Sequence, residues 1–188
     1  FSSDGVYADP AGFLAPAVAA ARAAGGLYVA DEVQPGFGRT GTGLWGFSRH
    51  GVVPDLVSMG KPMGNGYPVA ALAVQPRHLE RFGREARYFN TYGGNPVAAA
   101  AANAVLDVIE RDQLVAHAAQ VGTHLTEGLR VLATRHPCIG DVRGLGLFVG
   151  VELVSDRLAK TPDAVGAARI VNALRQRRIL ISASGRSE

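Results

Sequence analysis

Two ionisable residues, Asp31 and Lys61, lie directly after two short apolar runs of the chain. The first run, 27–30, ends on Asp31, and the second, 55–59, ends in a glycine-rich turn that contains Lys61. Carboxylates and amines serve enzymes as acids, bases and nucleophiles. Because ligands of open parallel sheets bind at the carboxyl ends of the strands, the two side chains are candidates for one site.

The sequence around Lys61 favours a functional role over that of a solvated surface lysine, which is the commoner role of a lysine in a loop. Lys61 stands between Gly60 and Pro62, where a helix cannot continue. Glycines on both sides of the lysine let a ligand approach the backbone closely. We therefore expect an extended turn that holds the amine beside a bound molecule.

Helical and apolar patterns alternate along the first part of the chain, as in the βαβ units of a parallel sheet. The run 13–24 consists almost entirely of helix formers, and Gly25 and Gly26 end it before the buried-strand pattern of 27–30 begins. Later elements are predicted as strands at 55–59 and 69–74, a polar helix at 75–85, and a long helical stretch from about 96 to 135.

The pattern changes beyond Pro137 to a smaller α+β unit. Its predicted elements are a glycine-kinked strand pair at 141–153, a helix at 163–178 and a final strand at 179–182. We therefore predict an α/β fold in two parts. Residues 1–109 form part of a large domain with a mostly parallel sheet, and residues 110–188 form a truncated small domain.

The composition is that of a globular chain and excludes several classes of protein. Of the 188 residues 47% are hydrophobic and 19% are charged, which suffices for a core. The net charge is +3, but the arginines are spread along the chain, so no nucleic-acid partner is expected. No apolar run approaches membrane-spanning length, so no membrane association is expected and a soluble, cytoplasmic protein is predicted.

No metal site is predicted. Cys138 is the only cysteine, which excludes an intramolecular disulfide and a cysteine-based metal site. The five histidines show no spacing typical of metal ligands; His117 and His124, for example, are seven positions apart on a predicted helix.

Four segments, in the right order, resemble the core of the class-III aminotransferases, which are fold-type-I enzymes that use pyridoxal phosphate (PLP). The segments are 31–41, 54–68, 90–96 and 142–146. The resemblance covers nearly the whole chain and is nearest to the subgroup of alanine–glyoxylate aminotransferases and ethanolamine-phosphate phospholyases, to which residues 1–5 also contribute. It implies that residues 1–109 are the C-terminal part of the PLP-binding large domain.

The resemblance also implies roles for five side chains. Lys61 resembles the lysine that forms the Schiff base with the cofactor, and Asp31 resembles the carboxylate that pairs with its pyridine nitrogen. Val33 resembles the residue that packs on one face of the ring, and an ordinary core valine is the alternative. Gln34 resembles the side chain near the phenolic oxygen, with a plain polar loop residue as the alternative. Thr91 resembles the threonine that reaches the cofactor phosphate of the neighbouring subunit, which implies a homodimer with a shared active site.

The resemblance implies amino-group transfer from an amine or amino acid to a 2-oxo acid. The family's phosphate-binding turn and ring-stacking aromatic precede the segment seen here, and its substrate arginine follows it. The chain therefore reads as a piece of a longer enzyme, active with the missing parts. Two alternatives stay open: a non-catalytic remnant, and a phospholyase, which performs β-elimination with the same cofactor.

Overall fold

A computed structural model describes residues 5–8 and 10–184. The helices are α1 (Ala15–Ala23), α2 (Pro76–Glu85), α3 (Pro96–Arg111), α4 (Leu114–Arg135) and α5 (Ala164–Gln176). The strands are β1 (Val29–Asp31), β2 (Leu56–Met59), β3 (Ala71–Val74), β4 (Ile139–Leu145), β5 (Phe148–Asp156) and β6 (Thr161–Pro162). Residues 1–4, which contribute to the resemblance, and the polar tail 185–188 lie outside the described residues.

The chain divides into two compact units, each described here by itself. One unit is Pro10–Ala118, and the other joins the start of the chain to residues 119–188. The prediction of a large and a small domain that meet at 109/110 stays a prediction. In the described part of the chain, no helix is both long enough and apolar enough to cross a membrane.

The unit Pro10–Ala118 contains a mixed three-stranded sheet in the order β1-β2-β3. β1 and β2 are parallel, and β3 returns antiparallel to β2 after the turn that contains Lys61. The α/β class is confirmed, and one of the two pairings is parallel. The antiparallel pairing arises because β3 follows β2 without the helical crossover that a parallel neighbour requires.

A buried aspartate at the start of β2 joins the elements of this sheet. Asp55 is 2% exposed and accepts hydrogen bonds from the backbone N–H of Tyr28, which precedes β1, and from Arg22 of α1. It also accepts from Arg77 and contacts His78, both in α2. These hydrogen bonds, led by the one from Tyr28, hold the pKa of Asp55 well below its usual value.

The predicted long helical stretch is two helices, α3 and α4. Gln113 interrupts it with a φ of +52°, in the left-handed region that a continuous right-handed helix excludes. Asn95 caps the start of α3 by accepting a hydrogen bond from the backbone N–H of Ala98 at 2.9 Å.

The second unit is built on the β4–β5 hairpin, which confirms the predicted strand pair. Helix α4 approaches the turn of this hairpin so closely that a Cβ atom at Gly122 would lie 2.0 Å from the carbonyl oxygen of Gly146. Glycine at position 122 is therefore what allows this contact between helix and hairpin. Elsewhere in the unit, Asp163 caps α5 by accepting a hydrogen bond from the backbone N–H of Gly166.

The predicted final strand at 179–182 is wrong: these residues form neither strand nor helix. The backbone N–H of Ile179 bonds to the carbonyl of Leu174 and so completes the end of α5. A strand also needs a neighbour for its backbone groups, and none pairs with this segment among the residues that the structure describes.

Candidate active site

Asp31 lies at the carboxyl end of β1, as the sequence predicts, beside Ser58 of β2 in the parallel register. One carboxylate oxygen, Oδ1, accepts a hydrogen bond from the Ser58 hydroxyl at 3.0 Å and another from the backbone N–H of Val33 at 3.1 Å. Within the described residues Oδ2 receives no hydrogen bond. The side chain is exposed, so a fixed carboxylate presents one oxygen to an incoming donor.

Lys61 begins a single turn of 3-10 helix, Lys61–Gly64, that follows β2, and its side chain is exposed. The extended turn expected from the sequence is wrong, because a proline is tolerated in the first turn of a helix, where its missing N–H is not needed. The φ of Lys61, +37°, is in the left-handed region, where a residue other than glycine is strained by about 1–3 kcal/mol. The turn 61–64 packs against α3, and Gly64 is buried where a Cβ atom would lie 2.6 Å from Val69. Strain that is held by packing on both sides is a common feature of functional sites.

Val33 and Gln34 follow Asp31 at the start of a long loop, 33–47. The side chain of Val33 lies against Gly60, the residue before Lys61: a Cβ atom at Gly60 would be 3.8 Å from Cγ2 of Val33. The carbonyl of Gln34 accepts a hydrogen bond from Nε of Arg39 at 3.1 Å. Both residues are half-buried, and they follow the carboxyl end of β1 directly, at the same end of the sheet as Asp31.

Glu32 is buried between these residues, with only 2% of its surface exposed. From its position next to Asp31 we expect a structural ion pair, and this stays a prediction. Its oxygens accept hydrogen bonds from the backbone N–H groups of Gly46 and Phe47, both at 2.8 Å. Burial raises the pKa of Glu32, and the two N–H donors oppose that rise because they favour the carboxylate.

Thr91 lies in the exposed loop before α3. Asn90 shapes this loop by accepting hydrogen bonds from the backbone N–H groups of Tyr92 and Gly93 at 3.2 and 3.0 Å. Asn95 fixes its other end with a hydrogen bond to the carbonyl of Tyr92. The loop holds Thr91 at the surface.

The structure thus brings Asp31, Val33, Gln34 and Lys61 to one end of the β1–β2 pair. These residues fit PLP by the chemistry of their side chains. Asp31 offers an oxygen that no donor among the described residues occupies to a protonated ring nitrogen. Lys61 offers an exposed primary amine for an aldehyde, and Val33 offers an apolar surface for a ring face.

Two supporting residues, Ser58 and Arg39, and the role of a third, Glu32, were not found by reading the sequence. Ser58 bonds to Asp31, Arg39 bonds to Gln34, and Glu32 holds the loop. Ser58 carries a usable signal, because it is the one hydroxyl in the apolar strand 56–59. The partners of Arg39 and Glu32 lie in a loop without periodicity, so the sequence contains no comparable signal for them.

The family model of the class-III aminotransferases matches residues 2–188. A Drosophila melanogaster protein named alanine–glyoxylate aminotransferase 2-like is 47% identical over 98% of this chain and 38% of its own length. An Arabidopsis thaliana mitochondrial alanine–glyoxylate aminotransferase 2 homolog is 48% identical over 93% of the chain and 36% of its length. A Caenorhabditis elegans ethanolamine-phosphate phospho-lyase homolog is 48% identical over 86% and 35%.

Solved structures agree with the sequence relatives. An Arthrobacter phospholyase in complex with phosphoethanolamine matches the whole chain and 44% of its own, with a TM-score of 0.94 and 41% identity. A PLP-bound amine transaminase from an uncultivated Pseudomonas species matches 94% of the chain and 42% of its own, with a TM-score of 0.85 and 35% identity. The chain spans less than half the length of each of these relatives.

One prediction is corrected by these comparisons. The cytoplasmic location predicted from the sequence is wrong, because the similar Arabidopsis relative is mitochondrial by name. The prediction rested on the lack of a long apolar run, a feature that does not distinguish a mitochondrial enzyme from a cytoplasmic one.

The match to the family model, the identity to curated relatives and the fold agree with the chemistry of the side chains at the end of β1 and β2. The chain belongs to the class-III aminotransferases, a family of enzymes whose cofactor is pyridoxal phosphate.

Proposed function

We propose that this chain carries the lysine-bearing part of a PLP-dependent enzyme that transfers an amino group from an amine or amino acid to a 2-oxo acid. The observation that supports this most directly is the placement of Asp31 and Lys61 after two paired parallel strands, with Ser58 fixing the carboxylate. The amine, the carboxylate and the apolar Val33 are what a pyridine aldehyde requires of its binding site.

Each side chain has a separate task in this proposal. When bound, PLP supplies an aldehyde and an electron-accepting ring. Lys61 would hold the aldehyde carbon through its amine, and the released Nζ would carry a proton as an acid or base. Asp31 holds a proton on the pyridine nitrogen, and this charge-assisted hydrogen bond contributes about 1.5–3 kcal/mol. Val33 packs against one ring face, and Gln34 lies near the phenolic oxygen.

Thr91 extends the proposal to a homodimer. Its hydroxyl is exposed on a loop that Asn90 and Asn95 hold in shape, and it serves the cofactor phosphate of the neighbouring subunit. The aromatic side chains on the same loop are also exposed, Tyr88 by 72%, Phe89 by 85% and Tyr92 by 82%. Exposed aromatic clusters are typical of protein interfaces, so this loop is our candidate for the dimer contact.

A phospholyase is the second candidate, supported by the Arthrobacter structure in complex with phosphoethanolamine and by the C. elegans relative. The side chains described here serve both reactions, because each begins with the same lysine, carboxylate and cofactor. The two reactions differ in their substrates. A 2-oxo acid accepts an amino group, whereas a phosphorylated amino alcohol releases phosphate on elimination.

Two assays on the protein with PLP decide between the reactions. We expect keto-acid-dependent transfer of an amino group, measured as new amino acid, and no phosphate release from phosphoethanolamine. Phosphate release without transfer would overturn the aminotransferase proposal in favour of the lyase. Amino-group transfer is expected to disappear in Lys61→Ala and to persist in Lys160→Ala, which removes the only other lysine of the chain.

A further inference from the structure

We propose that Glu32 is a positioning residue that closes the loop 33–47 over the end of β1 and so holds Asp31 and Gln34 in place for the cofactor. This inference rests on the proposed function of Asp31 and Gln34. Glu32 itself is 2% exposed, so it acts through its neighbours and does not touch a ligand.

The first step of the argument is that Glu32 binds both ends of the loop. Its backbone carbonyl accepts a hydrogen bond from the N–H of Gly36 at 3.1 Å, near the start of the loop. Its carboxylate accepts from Gly46 and Phe47, at the end of the loop, both at 2.8 Å. One residue therefore fixes where the chain leaves β1 and where the loop ends in the short 3-10 helix Gly46–His50.

The second step is that the space around Glu32 leaves little room for another arrangement. A Cβ atom at Gly36 would lie 2.6 Å from the Glu32 carbonyl oxygen, and one at Gly46 would lie 2.8 Å from Pro35. Glycine at these two positions lets the start and the end of the loop approach the glutamate. The close fit means that a shifted carboxylate would shift the loop with it.

The third step connects Glu32 to the proposed cofactor site. Its backbone N–H donates to the carbonyl of Ser58 at 2.9 Å, and the Ser58 hydroxyl donates to Asp31. Gln34 lies two residues after Glu32, inside the closed loop. If the hydrogen bonds of Glu32 were lost, the carboxylate of Asp31 and the side-chain amide of Gln34 would therefore both be able to move.

The fourth step is that the ionised carboxylate matches the two donors. Both partners are N–H groups, and a carboxylate offers two acceptor oxygens, whereas the amide of glutamine offers one acceptor and one donor. In Glu32→Gln the side chain keeps its size, but its NH₂ group faces a backbone N–H. Loss of one such hydrogen bond to a charged group corresponds to a roughly tenfold to hundredfold change in an equilibrium.

The closing experiment begins with a measurement that needs no cofactor. Trp45 is the only tryptophan of the chain and precedes Gly46, so its fluorescence reports on the loop. We expect Glu32→Gln to make Trp45 more accessible to a neutral quencher and to speed hydrogen exchange at the N–H groups of Gly46 and Phe47 about tenfold or more. The control Glu110→Gln, in exposed α3, should change neither. Unchanged exchange in Glu32→Gln would overturn the proposal.

A second measurement tests the connection to the cofactor. We expect Glu32→Gln to bind PLP about tenfold more weakly, and to shift the pH profile of the visible band that PLP acquires on linkage to a lysine. A band with the wild-type affinity and pH profile would show that Glu32 does not position the site. Absence of the band from the wild-type protein would instead contradict the proposed function, and the exchange measurement would still decide the role of Glu32 in closing the loop.

Discussion

In our proposal Lys61 is the central residue of the site. Lys61 and Asp31 contact the cofactor, and neighbouring residues hold the Asp31 carboxylate in position. Asp31 has one oxygen bound to Ser58 and Val33 and one oxygen without a hydrogen-bond donor among the described residues. A carboxylate held in this way is already oriented before a ligand arrives. Such preorganisation reduces the entropy lost on binding.

We expect Asp31→Asn to weaken PLP binding by about tenfold to 150-fold, because a charge-assisted hydrogen bond contributes roughly 1.5–3 kcal/mol. A titration followed by the visible band of the lysine-linked cofactor measures this. Asp107→Asn, on the exposed surface of α3, serves as the control and should bind like the wild type. Equal affinities of the two variants would contradict the role of Asp31.

Residue types and order in the sequence were enough to predict Asp31 and Lys61 at neighbouring strand ends. The supporting contact of Glu32 could not be predicted in the same way. A buried glutamate needs donors, but the sequence does not say whether a distant cation or local N–H groups supply them. The donors, Gly46 and Phe47, lie 14 and 15 residues away in an aperiodic loop.

At the scale of elements, the spacing of apolar residues predicts most of the helices and strands. Where an element ends depends on local backbone conformation and on strand pairing. The helices at 76–85 and 164–176 and the β4–β5 hairpin agree with the pattern. The break at Gln113 and the missing strand at 179–182 do not. Neither could be predicted, because one depends on a single φ angle and the other on the absence of a pairing neighbour.

Asp55 joins α1, β1, β2 and α2, and we expect its ionisation to govern acid stability of the unit Pro10–Ala118. Its pKa in the folded protein lies below the ordinary value of 3.8. The stability that it contributes is therefore fully present above about pH 4 and is lost as the pH falls toward the folded-state pKa. Urea unfolding between pH 5 and pH 2 measures this loss.

The comparison variant for this effect is Asp55→Asn, which cannot ionise. It should be less stable than the wild type at pH 5 because Arg22 and Arg77 lose their partner, and its unfolding midpoint should fall less between pH 5 and pH 2. Parallel pH profiles for the two proteins would show that Asp55 is not the group responsible.

Helix α4 contains a matched pair of glycines that tests its packing on the hairpin. We expect Gly122→Ala to destabilise the protein by about 1–3 kcal/mol, because the new Cβ would collide with the carbonyl oxygen of Gly146. Gly128→Ala, in the same helix with no atom within 4 Å of its Cβ, should stabilise it by about 0.5–1 kcal/mol. Opposite signs in urea unfolding support the contact, and equal effects would refute it.

At the scale of the whole molecule, the described residues bury few large apolar side chains. The fully buried side chains of largest volume are Glu32, Val154, Thr40 and Asp55, and three of these four are polar. Aromatic side chains on the loop 88–95 are meanwhile mostly exposed. Such a surface is typical of a chain that associates with another.

We expect Phe89→Ala to weaken self-association by about thirtyfold or more, because a central aromatic residue of an interface commonly contributes at least 2 kcal/mol. Sedimentation over a range of protein concentrations measures the dissociation constant. Leu158→Ala is the control, since this side chain is 97% exposed but lies far along the chain in the β5–β6 turn. A dissociation constant that moves in neither variant would contradict the use of the Thr91 loop as the dimer contact.

The measurement that tests the central claim most directly is covalent labelling at Lys61. The protein is incubated with PLP, reduced with borohydride so that a lysine linkage becomes permanent, digested, and mapped by mass spectrometry. The account predicts the phosphopyridoxyl mass on the peptide that contains Lys61 and not on the one that contains Lys160, the other lysine of the chain. Label on Lys160 alone, or label unchanged in total when Lys61 is replaced by alanine, would contradict the claim that Lys61 holds the cofactor.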